Sequence, residues 1–194
     1  MEIIRRLPIP GWPKGQGYIL SLHGWDGVGK SEVARLLEEM GMSRVSFSAT
    51  FRGVLNEVQN SSTRLAFLTY ETAAREAHRR ARGAKDAGNI VVMDRGIECV
   101  VANFMAIDTS IVEVMDSDIP SADLHIFLDA PESELLRRLN KRGGCTGREI
   151  NLKRMRRVRA AYRAMHLVRV NTQGMKCVDV ANHIYDMLAA MTHT

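Results

Sequence analysis

Short, uninterrupted apolar runs alternate along this chain with longer segments in which apolar residues recur every three or four positions. The first pattern is typical of strands buried on both faces of a sheet, and the second is typical of helices that cover a sheet. The predicted strands are residues 18–22, 44–47, 90–93, 124–128 and 168–170. The predicted helices are residues 31–40, 51–58, 63–85, a segment after Gly96, and residues 132–142, 148–166 and 175–191. This order of elements predicts an α/β fold.

One domain is expected, because 194 residues are enough to bury a single full core. Apolar strands separated by helices predict a three-layer sandwich. In it a five-stranded parallel sheet carries helices on both faces, and its crossovers are right-handed. The glycine-rich segment Gly143–Gly147 interrupts the helices and is expected to be a flexible connector. We therefore assign residues 1–194 to one domain.

The composition is ordinary for a globular protein, with 45% hydrophobic and 25% charged residues. No apolar stretch approaches the roughly eighteen residues that a membrane span needs, and the first residues show no secretory signal. The three cysteines, Cys99, Cys145 and Cys177, are too widely spaced for a zinc pattern or a disulfide framework. The resulting expectation is a cytoplasmic location with no membrane partner.

The charge is less ordinary, since the net charge is +5 and much of the excess lies in one segment. Residues 137–163 contain eleven basic side chains and a single acid, Glu149. A net positive charge favours polyanionic partners. The sequence leaves two interpretations open, a solvated helix face and a surface that contacts phosphates. Arg156, Arg159 and Arg163 recur at helical spacing and predict one shared face.

The loop between the first predicted strand and the first predicted helix carries the most specific motif. Its eight residues are Gly24, Trp25, Asp26, Gly27, Val28, Gly29, Lys30 and Ser31. They fit G-x-x-x-x-G-K-[ST], a phosphate-binding loop (P-loop) whose backbone N–H groups surround a chain of phosphates. Lys30 can reach the terminal phosphates and the Ser31 hydroxyl can hold Mg²⁺. The helix N-terminus adds partial positive charge, so this loop predicts nucleotide binding.

A second candidate site follows the third predicted strand. Asp94 and Arg95 stand where the apolar run 90–93 ends, and ligands of parallel sheets bind at the carboxyl ends of strands. Asp94 is therefore a candidate for holding Mg²⁺ or its water. Arg95 is a candidate for clamping a second phosphate with two hydrogen bonds. The alternative is an ordinary ion pair at the end of a strand.

Taken in order, these motifs resemble the thymidylate kinase family of P-loop nucleoside monophosphate kinases. The resemblance covers about residues 18–162 and is carried by Gly24–Ser31 with its acid Asp26, Arg75–His78, Gly88–Arg95, Phe127–Pro131, Arg142–Gly143 and Val158–Tyr162. The P-loop alone is specific only for nucleotide binding. The ordered set is specific for the family, and it implies a P-loop kinase fold with a short lid at about residues 143–150.

The resemblance also implies roles on the side of the phosphate donor. The P-loop would hold ATP through its amides and Lys30, and Ser31 with Asp94 would hold Mg²⁺. An arginine near the lid, from among Arg142, Arg148 and Arg154, would close over the transferred phosphate. The residues assigned to catalysis are Lys30, Asp94, Arg95 and Arg148.

On the acceptor side the sequence departs from the family. The residues assigned to acceptor binding are Asp26, Arg52, Arg75, Arg95 and Asn103. The family's Arg-Glu-Pro is replaced by Ser48–Arg52, the acid before Arg75 is Ala74, and Cys99 and Asn103 stand where other groups face the thymine ring. An intact donor side with an altered acceptor side implies the same reaction on a changed acceptor.

Three functions therefore compete. The first and favoured one is a kinase for a free pyrimidine deoxynucleotide, dTMP or a modified relative. The second is a kinase for 5-hydroxymethyluracil within DNA, as some phage members of the family are, which the basic segment and the altered acceptor side favour. The third is a P-loop ATPase without a small acceptor. A homodimer is left open.

Overall fold

The computed structural model describes residues 7–47, 62–107, 121–143 and 151–191. Its strands are β1 (Tyr18–His23), β2 (Ser43–Ser46), β3 (Ile90–Asp94), β4 (Leu124–Asp129) and β5 (Val168–Asn171). Its helices are α1 (Lys30–Glu39), α2 (Thr63–Asp86), α3 (Ile97–Met105), α4 (Glu132–Lys141), α5 (Leu152–Ala164) and α6 (Cys177–Ala190). Among the helices of these ranges, none is long and apolar enough to cross a membrane.

The strands form one five-stranded sheet in the order β2-β3-β1-β4-β5, and all neighbouring pairs are parallel. The prediction of a five-stranded parallel sheet is therefore confirmed. Each of the five strands lies within one or two residues of its predicted position. The strands are easily recognised in the sequence because both of their faces are buried, which requires continuous apolar runs.

Alternate residues of β1 face two separate cores. Leu20 and Leu22 pack into the larger core, which also holds buried side chains of α1, α5 and α6. Ile19 points to the opposite face and packs into a second core, built mainly from α2 and α3. Because helices cover both faces, the sheet is the middle layer of the predicted three-layer sandwich.

The helix boundaries follow recognisable capping signals. Helix α2 begins after Ser62, whose Oγ accepts a hydrogen bond from the N–H of Leu65 at 3.3 Å, as an N-capping serine does. Helix α5 is shorter than predicted, because Asn151 caps it and accepts from the N–H of Arg154 at 3.0 Å. The predicted helix 51–58 and most of the predicted lid lie outside the described residues.

The three arginines predicted to share a face of the basic helix differ in exposure and in their acidic partners. Arg159 is buried, and its Nε donates to Asp129 Oδ1 at 2.8 Å while its Nη2 donates to the Ala130 carbonyl at 2.8 Å. Arg163 donates to the other oxygen of Asp129 at 3.1 Å. Arg156 pairs instead with Glu132 at 2.8 Å. Arg159 is therefore a buried structural residue, because Asp129, at the end of β4, pairs with it in the core.

We predict that Arg159→Ala destabilises the fold strongly, because it leaves the Asp129 carboxylate buried with its closest partner removed. Breaking one side of a buried ion pair costs about 3–5 kcal/mol of unfolding free energy. Arg156→Ala is the matched control on the same helix, since its pair with Glu132 is exposed and should contribute little. Urea unfolding of both variants checks this, and equal midpoints would contradict a structural role for Arg159.

Candidate functional site

The register between β1 and β3 brings the two motifs to the same edge of the sheet. Leu22 lies opposite Asp94 in this parallel pair. The P-loop begins at Gly24, directly after β1 ends at His23. Arg95 directly follows Asp94, the last residue of β3. The N–H of Arg95 donates to the carbonyl of Leu22 at 3.2 Å, which extends the pairing past the end of β3. The sequence motifs therefore form one site at the carboxyl ends of adjacent strands.

The backbone of the P-loop needs glycine at particular positions. Gly24 has a φ of 139°, and a Cβ there would lie 2.3 Å from the carbonyl oxygen of Leu128 on β4. Gly29 has a φ of 100° and immediately precedes α1. No other residue type combines this left-handed backbone with such close approach. The loop can therefore wind tightly between β1 and the amino end of α1, where backbone N–H groups favour anions.

Lys30 is held inside this loop. The side chain is buried, and its Nζ donates to the carbonyls of Gly24 and Trp25 at 2.8 Å each. Burial, and after it the positive charge of the neighbouring Arg95, lower the pKa of Lys30 to about 8. The loop thus supports an ammonium group whose charge is only partly balanced, and a bound phosphate chain would supply the missing negative charge.

Arg95 reaches from β3 to the P-loop. Its Nη2 donates to Asp26 Oδ1 at 2.8 Å, and its Nη1 lies 3.6 Å from Cys99 Sγ. Arg95 has a φ of 78°, and it is the one non-glycine residue with positive φ in the described part of the chain. Such a backbone is costly for a side chain of this size and is found mainly at functional sites. The geometry therefore joins two residues that the sequence assigned to acceptor binding.

Asp94 lies beside this pair and is nearly inaccessible, with an exposed fraction of 3%. Its Oδ1 is buried without a hydrogen-bond partner among the described residues. Its Oδ2 lies 3.6 Å from Nη2 of Arg44, a β2 residue that sequence reasoning missed. The sequence could have indicated Arg44, because it lies in the predicted strand that pairs with the strand ending at Asp94. Ser31, also assigned to Mg²⁺, is exposed in the first turn of α1.

The described residues predicted to bind the acceptor, apart from Asp26 and Arg95, lie on α2 and α3, and α5 contacts them through Arg154. Asn103 donates to the carbonyl of Cys99 at 2.8 Å and accepts from Nη2 of Arg154 at 3.5 Å. Among the candidate lid arginines, Arg154 is therefore the one that contacts a residue predicted to bind the acceptor. Arg142 directly follows α4 and is exposed. Arg75 pairs with Glu71 at 2.8 Å on α2. Arg52 and Arg148 lie outside the described residues.

A group of aromatic side chains lies on the same side of the sheet, and the sequence analysis assigned them no binding role. Tyr70 of α2 lies between Phe47, which follows β2, and Phe104 of α3, with ring centroids 5.9 Å from each. Phe67 meets Phe104 edge to face at 5.2 Å. Tyr70 is the partly exposed member of this group. A partly exposed ring next to an acceptor site is suited to stacking with a planar base.

Comparison with known proteins agrees with this architecture. The family model AAA_18, described as an AAA domain, matches residues 21–159. The chain is 30% identical to a probable thymidylate kinase of Pyrococcus abyssi (strain GE5 / Orsay), over 76% of this chain and 82% of that protein. These matches and the parallel sheet confirm the predicted α/β P-loop kinase fold.

Two solved structures share the fold at low identity. The thymidylate kinase from Candida albicans gives a TM-score of 0.71 at 18% identity and covers 92% of this chain and 94% of its own. A deoxyadenosine kinase from M. mycoides gives a TM-score of 0.68 at 13% identity and covers 89% of this chain and 99% of its own. Similarity at this level of identity concerns the fold alone.

We predict that ATP binding takes up protons at mildly alkaline pH and that Lys30 is their site. Phosphates favour the ammonium form, so they raise the pKa of Lys30 from about 8. Uptake should be substantial near pH 8.5 and small near pH 6.5, where the amine is already protonated. Calorimetry in two buffers of different ionisation enthalpy measures it.

The Lys30→Met variant keeps the apolar stem of the side chain but cannot titrate, so it is the matched control for this measurement. It should bind ATP more weakly and lose the pH-dependent uptake. If the variant took up as many protons as the wild type at pH 8.5, another group would be responsible.

Proposed function

This chain belongs to the thymidylate kinase family of P-loop kinases, and we propose that it transfers the γ-phosphate of ATP to a pyrimidine deoxynucleotide, a dTMP-like monophosphate. The observation that carries the proposal is the 2.8 Å contact between Arg95 and Asp26. This contact joins the proposed acceptor clamp to the loop that would hold the donor phosphates. Such transfer depends on positioning and on neutralising charge more than on covalent chemistry.

On the donor side, the P-loop amides and Lys30 would hold the phosphates of ATP. The Lys30 ammonium already points to the inside of the loop, where it donates to the carbonyls of Gly24 and Trp25. Its hydrogen bonds would move from carbonyls to phosphate oxygens, which are stronger acceptors because they are charged. Arg138 supports the loop from outside, since its Nη1 lies 3.4 Å from the Val28 carbonyl and its Nη2 donates to the Thr172 carbonyl at 2.7 Å.

The described residues also fit Mg²⁺. The carboxylate of Asp94 is buried and its Oδ1 has no hydrogen-bond partner in the described ranges, which suits an oxygen that receives a metal-bound water or the metal. Ser31 offers a hydroxyl at the start of α1, as the P-loop motif requires. When bound, the ion would neutralise charge on the donor phosphates. Both residues would orient it from the same edge of the sheet.

On the acceptor side, Arg95 would clamp the phosphate of the monophosphate, with Arg75 and Arg52 as further candidates. Asp26 would then accept from a hydroxyl of the acceptor sugar. Tyr70 would stack on the base, because its ring is the partly exposed one of the aromatic group. Burial of both substrates under a lid at about residues 143–150 would exclude water, which otherwise hydrolyses ATP.

Arg154 is the preferred lid arginine among the described candidates. Its Nη2 lies 3.5 Å from Asn103 on the acceptor side, and it belongs to the first turn of α5, directly after the proposed lid. Arg148 is the second candidate. Because ATP and free nucleotides are cytoplasmic pools, we place the reaction in the cytoplasm.

A base within DNA is the second candidate acceptor. The observations that favour it are the net charge of +5 and the replacement of acceptor-side groups by Cys99 and Asn103. The ion pairs of Arg156 with Glu132 and of Arg159 with Asp129 weaken it, because they occupy arginines that would otherwise contact phosphates. We therefore keep the free nucleotide as the primary proposal.

The test offers γ-labelled ATP with free deoxynucleoside monophosphates, with single-stranded and duplex DNA that contains 5-hydroxymethyluracil, and with no acceptor. The proposal predicts label in a nucleoside diphosphate, highest with dTMP or a modified pyrimidine. Label in DNA would select the second candidate. Release of labelled phosphate at the same rate with and without acceptors would select a P-loop ATPase and contradict both.

We predict that Asp94→Asn and Arg95→Ala damage different steps. Asp94→Asn should lower turnover and raise the Mg²⁺ concentration needed for half-maximal rate, while acceptor saturation changes little. Arg95→Ala should raise the acceptor KM by roughly ten- to a hundredfold, since a charged hydrogen bond contributes about 1.5–3 kcal/mol. Steady-state kinetics with each substrate varied in turn separates the two, and an unchanged acceptor KM in Arg95→Ala would refute the clamp.

A further inference from the structure

A second polar cluster lies next to the P-loop and takes no part in the proposed transfer. His23 ends β1, His125 lies on the neighbouring β4, and Glu98 belongs to the first turn of α3. We call these three residues the His–Glu cluster. One ligand atom from each residue lies within 4.8 Å of the other two. His23 is fully buried, and the other two side chains keep exposed fractions of only 15–17%.

The hydrogen bonds around Ser121 indicate how the ring of His125 is protonated. Ser121 Oγ contacts both the carbonyl oxygen of Ala122, at 3.1 Å, and Nε2 of His125, at 2.8 Å. A hydroxyl has one proton, so both contacts form together only when Oγ donates to Ala122 and accepts from Nε2–H of His125. In the neutral form of this ring the other nitrogen, Nδ1, carries a lone pair, and it faces the interior of the cluster.

With His125 neutral, this arrangement places the lone pair of its Nδ1 next to the carboxylate of Glu98. His125 Nδ1 lies 3.2 Å from Glu98 Oε1 and 3.4 Å from Nε2 of His23. A lone pair and a carboxylate oxygen repel each other at this distance unless a cation lies between them. His23 Nδ1 is buried with no hydrogen-bond partner among the described residues, so no contact there fixes which nitrogen of that ring holds a proton. Burial lowers the pKa of His23 well below its usual value, so the ring is neutral and able to ligate.

The distances within the His–Glu cluster match those between ligands of one small metal ion. His125 Nδ1 lies 3.2 Å from Glu98 Oε1 and 3.4 Å from His23 Nε2, and His23 Nε2 lies 3.5 Å from the second carboxylate oxygen, Glu98 Oε2. For bonds of about 2.0–2.1 Å, two ligands of a tetrahedral Zn²⁺ lie roughly 3.3–3.4 Å apart. Two imidazoles and one carboxylate are also a ligand set that zinc accepts, with water in the fourth position.

The surroundings fit a built site. The Nε2–H of His125 donates a hydrogen bond to Ser121 Oγ. Metal-bound histidines usually donate such a hydrogen bond from the nitrogen that does not bind the metal. Gly96 keeps its backbone close, because a Cβ there would lie 2.8 Å from Glu98 Oε2 and 2.7 Å from Ser21 Oγ. His78 of α2 is also buried, and burial lowers its pKa to about 4. Both of its ring nitrogens lack hydrogen-bond partners in the described part of the chain.

We propose that His23, Glu98 and His125 form a transition-metal site, with Zn²⁺ as its ion, beside the P-loop. One of its ligands, His23, directly precedes the P-loop. Another, Glu98, lies in the first turn of α3, which begins two residues after Arg95. The site would therefore fasten the starts of both segments that make up the transfer site. It is separate from the Mg²⁺ site at Ser31 and Asp94, and the proposal does not depend on the identity of the acceptor.

The test measures Zn²⁺ binding to the full chain without nucleotide and with excess Mg²⁺, which occupies sites that prefer oxygen ligands. Competition with a chromophoric chelator should give one Zn²⁺ per chain. Glu98→Gln, which keeps the side-chain volume, and His125→Ala should each weaken binding by about a hundredfold or more. His183→Ala is the matched control, because His183 is exposed on α6 and should leave binding unchanged.

Two further readouts address folding and ligand type. Zn²⁺ should raise the Tm of the wild type and of His183→Ala but not of Glu98→Gln. Co²⁺ should give the strong visible absorption of a four-coordinate site in the wild type. Glu98→Gln and His125→Ala should not show this absorption. Absence of stoichiometric binding, or binding that Glu98→Gln leaves intact, would overturn the proposal and leave a proton shared between Glu98 and His125 as the cation of the cluster.

Discussion

The in-register pairing of β1 with β3 is the constraint on which the rest of the site depends. Because Leu22 lies opposite Asp94, the chain leaves both strands at the same height of the sheet. The P-loop and the Asp94–Arg95 pair must then share the space above that edge. Arg95 adopts its left-handed backbone there, and its guanidinium meets Asp26 instead of solvent. A slip of one residue would turn Asp94 to the other face of the sheet.

Charge balance explains the chemistry that this space can support. Burial and the positive charge of Arg95 together lower the pKa of Lys30 to about 8. The loop carbonyls and Asp26 compensate only in part. A polyanion that entered from the donor side and a monophosphate that entered from the acceptor side would complete the balance. Under the proposed function, this balance would preorganise the site for two phosphate-bearing ligands, as phosphoryl transfer requires.

The sequence predicted the features that depend on local pattern. The strands, the P-loop and the Ser62 cap each have a signature within a few residues. The features it missed are contacts between distant segments. Helical spacing grouped Arg159 with its exposed neighbours, because nothing local reveals that Asp129 ends a strand directly beneath it.

The same limit applies to the candidate sites. Arg44 and Tyr70 are close to the site only because β2 and α2 pack next to β3, and the spacing of Tyr70 fits an ordinary core residue equally well. The His–Glu cluster draws its three residues from two strands and a helix, so no sequence motif links them. Arg52 and Arg148 stay predictions, since they lie outside the described residues.

We propose that Asp26 on the P-loop and Arg95, which follows β3, act as one unit in acceptor binding. A double-mutant cycle on kcat/KM for the acceptor, with Asp26→Asn, Arg95→Ala and the double variant, tests this most directly. We expect strong non-additivity: Arg95→Ala should lower kcat/KM for the acceptor much less when Asp26 is already replaced. Losses that add within experimental error would show that the two residues act independently and would contradict the central claim.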